Sequence, residues 1–244
     1  MRWLVFQHIS MEHPGALRDF MAEDGIVWDA VELDEGERIP PLDGYDALLV
    51  MGGPMDTWQE DTYPWLVDEK RAIRAAIAIG MPYLGVCLGH QLLADALGGS
   101  VRRAPEPEIG ILDVALTATG RADPFCAGLT PRFAALQWHS YEVDRLPPAG
   151  RTLASSPACA KQAIGVGANA YGVQYHVELT EATVPEWGCV PAYKNALELS
   201  LGAGGQARIE VDAARHLAGF RADARKLYDN FVAIARAHPK RSAA

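Results

Sequence analysis

Cys87 stands in the segment Gly85-Val86-Cys87-Leu88-Gly89-His90-Gln91, between two glycines, where a short apolar run gives way to a helical pattern. Met81 to Val86 has the length and apolarity of a fully buried strand, and Gln91 to Leu97 carries apolar residues at helical spacing. Glycines on either side permit a tight, strained turn that lifts the thiol clear of a sheet, the geometry of a nucleophile elbow. The thiol then sits at a helix N-terminus, where peptide dipoles favour an anion. Far along the chain, Tyr171-Gly172-Val173-Gln174-Tyr175-His176-Val177-Glu178 supplies an imidazole and, two positions on, a carboxylate. On a strand these two side chains share a face, so the sequence holds a nucleophile, a base and an orienting acid. A buried His176 alone fits an ordinary core histidine. Glu178 beside it would then be a costly buried carboxylate, and an imidazole partner gives that charge a reason to be there.

On these residues the sequence resembles the class I (triad-type) glutamine amidotransferases, and most closely the stand-alone domains similar to that of GMP synthase. The family's elbow reads close to Gly-Val-Cys-Leu-Gly-His-Gln and its second motif close to Gly-Val-Gln-Phe-His-Pro-Glu. Here Tyr175 and Val177 replace the phenylalanine and proline. Neither position donates a catalytic atom, so the departure implies altered local rigidity. The resemblance takes in Met51-Gly52-Gly53-Pro54 as an oxyanion loop and covers residues 1 to about 185. It implies a flavodoxin-like α/β fold and places the oxyanion under the backbone N–H groups of Gly53 and Leu88. Gly52 is left to the turn at the substrate's edge. Gln91 resembles the family glutamine that holds the amino acid end of the substrate, and His139 and Ser140 fall where members place a substrate-binding loop.

Composition narrows the alternatives. A chain of 244 residues with 49% hydrophobic residues fills one large domain, and a net charge of -9 argues against nucleic acid or an anionic membrane as the main partner. The paired Arg102-Arg103 and Lys240-Arg241 read as solvated surface. Cys87, Cys126, Cys159 and Cys189 show no metal-ligand spacing, and a disulfide framework does not suit a chain this large, so no metal or cofactor is expected. Cys126, Cys159 and Cys189 read as small buried hydrophobes. A nucleophilic Cys87 must stay reduced, which implies a cytoplasmic setting. The N-terminal apolar run is too short for a signal peptide, and the uncharged stretch from Ala75 to Gly89 is broken by Gly80 and Pro82 before it reaches membrane-spanning length.

To position the reactive groups, the first hundred residues alternate short apolar runs with amphipathic stretches, the pattern of βαβ units around a parallel sheet. Strands are predicted over 3–6, 26–31, 46–51 and 81–86, with helices over 14–24 and 65–79. From Ile109 to Tyr175 the texture becomes strand-rich with short turns, predicting antiparallel strands and hairpins added to that sheet, the run from 170 to 175 among them. The bare string Gly165-Val166-Gly167-Ala168-Asn169-Ala170 has no following helix and reads as a hairpin turn rather than a dinucleotide loop. Residues 186–244 read as a helical extension on the domain of residues 1–185. Beyond Glu181 the sequence returns to helix, broken at Gly202-Ala203-Gly204-Gly205, with further helices over 207–217 and 222–237 and a frayed tail from Pro239. His8, His13 and His90 read as polar surface or elbow residues.

The chemistry implied is attack of Cys87 on a glutamine side-chain amide, giving glutamate and ammonia. No P-loop string or acceptor module follows, so the ammonia would pass to a separate synthase partner, and the resemblance implies an oxyanion loop ordered by that partner. The same groups serve a γ-glutamyl peptidase acting on small γ-glutamyl compounds. A third reading is a binding or regulatory protein that keeps the fold without turnover.

Overall fold

The computed structural model describes residues 1–238. In chain order it runs β1 (Arg2–Gln7), α1 (Leu17–Glu23), β2 (Val27–Glu32), β3 (Ala47–Val50), α2 (Trp65–Ala78), β4 (Tyr83–Val86) and α3 (Leu88–Ala96). There follow β5 (Ser100–Leu116), α4 (Ala118–Ala122), β6 (Arg132–Arg145), β7 (Gly150–Ser155), β8 (Ala163–Val166) and β9 (Ala170–Val173). Three helices end it: α5 (Thr183–Trp187), α6 (Pro191–Leu201) and α7 (Gly205–Ala237). All nine strands form one sheet in the order β2-β1-β3-β4-β9-β8-β7-β5-β6.

The five strands β2, β1, β3, β4 and β9 are parallel, and β8, β7, β5 and β6 extend the sheet antiparallel. This is the mostly parallel α/β architecture the sequence predicts, with one correction. β9 closes a hairpin with β8 as expected, yet it also pairs in parallel with β4, so the run at 170–175 supplies the fifth core strand. Its residues Ala-Tyr-Gly-Val are all buried, as a strand covered on both faces requires.

Side-chain alternation divides each central strand between two cores. Trp3 and Val5 of β1 face α1 and α7, whereas Leu4 and Phe6 face the side covered by α2 and α3. The helix α7 runs unbroken where two were predicted. Gly219 has open space around it and costs about 1 kcal/mol against alanine. Burial of the adjoining Phe220, worth on the order of 2 kcal/mol, holds the helix through that point. Arg221 and Arg225 on α7 reach Asp19, Glu23 and Asp24 at α1, and Tyr228 donates to the Phe20 carbonyl. The predicted tail from Pro239, with Lys240-Arg241, lies outside the described residues. No helix among the described residues is long and apolar enough to cross a membrane.

In a parallel sheet the carboxyl ends of the strands share one edge, where ligands bind. The segments leaving β1, β3, β4 and β9 are residues 8–16, 51–55, 87 and 174–180, and the candidate groups lie on them.

Candidate active site

Cys87 is the N-cap of α3, with φ 52° and ψ -104°, a backbone conformation that a non-glycine residue adopts only under constraint. The constraint is packing. A Cβ on Gly85 would collide with the backbone of Gly89, and one on Gly89 with the carbonyl of Val50, so the glycines let α3 lie against β3 and β4. Cys87 itself takes the left-handed turn. Its N–H donates to the Val173 carbonyl at 2.8 Å, tying the elbow to β9.

His176 and Glu178 are not on a strand, because β9 ends at Val173. The chain continues irregularly, and His176 makes an isolated antiparallel bridge to Leu136. The pair still forms: His176 Nδ1 lies 2.6 Å from Glu178 Oε1, and Glu178 Oε2 accepts from the Val177 N–H at 3.0 Å. Cys87 lies close enough to His176 to act on its ionisation. Burial is the largest influence on the imidazole and draws its pKa down, but the Glu178 carboxylate and Cys87 outweigh it and hold it well above the ordinary value. The Trp187 ring packs edge-on to His176 at 4.6 Å, and Ala16 N–H donates to the Glu178 carbonyl at 2.7 Å. Cys87, His176 and Glu178, predicted from two distant motifs, are brought together, with the His176–Glu178 pair bonded and Cys87 close by.

Gly53, Cys87 and Leu88 border a cleft of about 600 Å³. Neither the Gly53 nor the Leu88 N–H has an acceptor among the described residues, while their neighbours are committed, Gly89 N–H to Met51 O and Met51 N–H to Phe6 O. Gln91 borders the same cleft, but its amide nitrogen donates to Tyr141 O and to Gln174 Oε1 at 3.1 and 3.0 Å. Gln174 in turn donates to Cys87 Sγ at 3.5 Å.

Residues 137–142 are not a loop; they lie in β6. The irregularity is opposite them, where residues 104–107 of β5 bulge out between the pairs Arg103–Tyr141 and Glu108–His139. The bulge frees Ser140 from the ladder and turns it to the cleft, the re-aiming that bulges perform beside sites. His139 also borders the cleft, but its ring serves the protein: Nδ1 bonds Tyr141 O, and Nε2 lies 3.2 Å from Glu108 Oε2. Glu108, His139 and Cys159 bring donor atoms within 4.8 Å of one another, a grouping the sequence spacing did not reveal. Both Glu108 oxygens already accept from Ser156 and Gln162, and burial pushes the Cys159 thiol up to about 12, so the cluster reads as a buried polar group held by the protein beside a protonated thiol.

Three further expectations are corrected. His8 is fully buried rather than a surface residue; His90 is an elbow residue, in the first turn of α3, where burial pushes it down to about 3. Only His13 is partly exposed. Cys189 is exposed, unlike the buried Cys126 and Cys159. Arg102 is solvated and paired with Glu142 and Asp144, but Arg103 borders the cleft.

The sequence reading missed the parts played by Glu12, Gln174 and α6, although a helix ahead of the Gly202 break was expected. Glu12 is buried behind the Gly52 turn, accepts from Tyr193 of α6 at 2.6 Å, and has its pKa raised by burial despite the nearby His176. A signal was present, since Glu12 follows the carboxyl end of a predicted strand. The α6 residues Tyr193, Ala196 and Leu199 line the same cleft as Cys87.

With that geometry in place, comparison with known proteins is decisive at the level of family. The model for glutamine amidotransferase class-I matches residues 16–184. The chain belongs to that family. It is 33% identical over 188 residues to a glutamine amidotransferase-like protein of Salmonella typhimurium, covering 75% of this chain and 78% of that one. It is 35% identical over 153 residues to one subunit of the glutamine-hydrolyzing GMP synthase of Sulfolobus acidocaldarius, covering 62% of this chain and 77% of that one. A crystal structure of a glutamine amidotransferase from Thermotoga maritima superposes with a TM-score of 0.85 at 29% identity, covering 95% and 98% of the two chains. One from Methylobacillus flagellatus gives 0.85 at 25% identity, covering 100% and 97%. The family match begins after His8 and Glu12 and ends before α6.

Proposed function

We propose that this protein hydrolyses the side-chain amide of glutamine, with Cys87 as nucleophile, His176 as acid and base, and Glu178 as the orienting carboxylate. The observation that carries the reading is the bonded His176–Glu178 pair close to Cys87, whose thiol lines a cleft edged by two N–H groups without acceptors among the described residues. Cys87 Sγ attacks the amide carbon, and the oxyanion is taken by the N–H groups of Gly53 and Leu88. His176 gives its proton to the departing nitrogen, leaving a γ-glutamyl thioester, and then draws a proton from the water that cleaves it. Glutamate and ammonia are released. Glu178, bonded to Nδ1, fixes the tautomer and stabilises the imidazolium. Backbone of Ser140 at the bulge and the Gln91 carbonyl oxygen meet the α-amino and carboxylate end of the substrate. His139 acts through its main chain and by bracing β5 against β6.

The ammonia goes to a separate synthase, as the similarity to the Sulfolobus GMP synthase chain suggests. A second reading is supported by α6: a helix outside the family match walls the cleft, so the leaving group could be larger than ammonia, as in a γ-glutamyl peptide. Glutamate release by the purified chain, from glutamine and from a panel of γ-glutamyl dipeptides, with kcat/KM compared, decides between them. Preference for glutamine supports the amidotransferase reading, and preference for dipeptides the second. Turnover of neither, with Cys87 unreactive to iodoacetamide at neutral pH, would leave a binding protein.

A further inference from the structure

His8 lies outside the family match and outside the machinery described so far, yet it is fully buried and both its ring nitrogens are engaged. Nδ1 is 2.7 Å from the carbonyl oxygen of Gly52, and Nε2 is 2.9 Å from Glu69 Oε1 on α2. The ring also stacks on Trp65 at 5.5 Å. A carbonyl oxygen has no proton to give, so Nδ1 is the donor however the other proton is shared between His8 and Glu69. Burial is the largest influence on His8 and draws its pKa down, but Glu69, the Gly52 carbonyl and Glu12 together raise it above its ordinary value, which keeps the proton on the ring.

The consequence lies in the next peptide unit. No peptide bond in the described chain is cis, so the carbonyl of Gly52 and the N–H of Gly53 point in opposite directions across one rigid plane. Holding that carbonyl against His8 aims the Gly53 N–H away from His8, toward the cleft it shares with Cys87 and Leu88. The two glycines are packed as well. A Cβ on Gly52 would meet the Glu12 carboxylate, and one on Gly53 would stand 2.8 Å from the His8 Cβ.

We propose that His8, backed by Glu69, is a positioning residue that clamps the Gly52–Gly53 peptide with its N–H set as an oxyanion donor, so that the hole is organised without a partner protein. This rests on the hydrolase reading of the same site. A clamped peptide replaces the expectation that docking must order the loop, and the isolated chain is then a competent enzyme.

Asparagine and glutamine separate the two bonds of His8, because Asn carries an amide N–H near the place of Nδ1 and Gln near the place of Nε2. With the purified protein, His8→Asn is expected to keep kcat within about tenfold of wild type, whereas His8→Gln lowers it about 10²-fold, the typical cost of losing one oxyanion donor, with KM little changed. Iodoacetamide alkylation of Cys87 needs no oxyanion donor and stays within about threefold of wild type in both variants. Crystal structures should show the Gly52 carbonyl kept on residue 8 in the Asn variant and turned away in the Gln variant. Equal kcat in the two variants, or the same peptide orientation in both, overturns the clamp. If wild-type protein releases glutamate from neither glutamine nor a γ-glutamyl dipeptide, the hydrolase reading falls, and the peptide orientation decides the clamp alone.

Discussion

The two walls of the cleft are built differently. One is made of strand ends in the parallel half, where Gly53, Cys87 and the His176–Glu178 pair each follow a buried strand by a few residues. The other is made of the β5 bulge, β6 and α6, segments whose neighbours in space are distant in sequence. The first wall holds the proposed reacting groups on a sheet edge. The second shapes the space beside them. On the proposed reading, a site divided in this way can change what it accepts by altering α6 while leaving the attack on the carbonyl untouched.

The sharpest way to break that division is to remove groups from the first wall. Cys87→Ser should lower glutamate release at least about 10⁴-fold with little change in Tm, since a serine hydroxyl lacks the thiolate's nucleophilicity. Retained turnover would refute the assignment. Labelling by 6-diazo-5-oxo-norleucine should likewise place the adduct on Cys87 and spare exposed Cys189. For Glu178→Gln we expect a smaller loss, about 10²-fold and in kcat rather than KM, with His176→Ala costing more. An effect confined to KM would show that Glu178 binds substrate instead.

Changes to the second wall should act on binding. Ala196→Trp on α6 fills part of the cleft and is expected to raise KM for a γ-glutamyl dipeptide about tenfold, with a smaller effect on glutamine and kcat within about threefold. If kcat collapses instead, the two walls are not separable. The smallest effect is on stability. His90 is held neutral, with its pKa lowered from 6.5 to about 3, so the unfolded chain binds a proton there that the folded chain does not. This destabilises the fold as pH falls below 6.5, by up to about 1.4 kcal/mol per pH unit, and has no effect above it. Denaturant unfolding of His90→Asn from pH 7 to pH 4 should therefore show a shallower loss than wild type. Parallel curves would mean His90 is charged in the fold.

The first wall was legible because its signals are local. An apolar run, a glycine on either side of a cysteine, and a histidine two residues from a glutamate each fit within eight residues. The parallel order of the first four strands followed from the alternation of strand and helix. What escaped reading depends on pairing across the chain. Residues 170–175 carry no mark distinguishing a hairpin partner from a core strand, and β9 is both. The bulge opposite Ser140 exists only because four residues of β5 have no counterpart in β6. His8 read as polar surface and Glu12 went unread because their partners, Glu69 and Tyr193, are 61 and 181 residues away. The gap predicted between 217 and 222 holds Gly219, and the burial of Phe220 carries α7 through it.

The place of β9 has a consequence for how the molecule comes into being. It sits between β4 and β8 in the middle of the sheet, though it is the last strand to be synthesised. Until residue 173 has emerged, β4 presents an open, apolar edge, the kind that recruits other chains. Contacts of such sequence separation form slowly. His176 and Glu178 follow β9 closely, so they reach Cys87 as that edge is closed. If the proposed hydrolase chemistry holds, a nascent chain carries its thiol unarmed through the interval in which it is most prone to aggregate, and gains its base in the same event that makes the sheet whole.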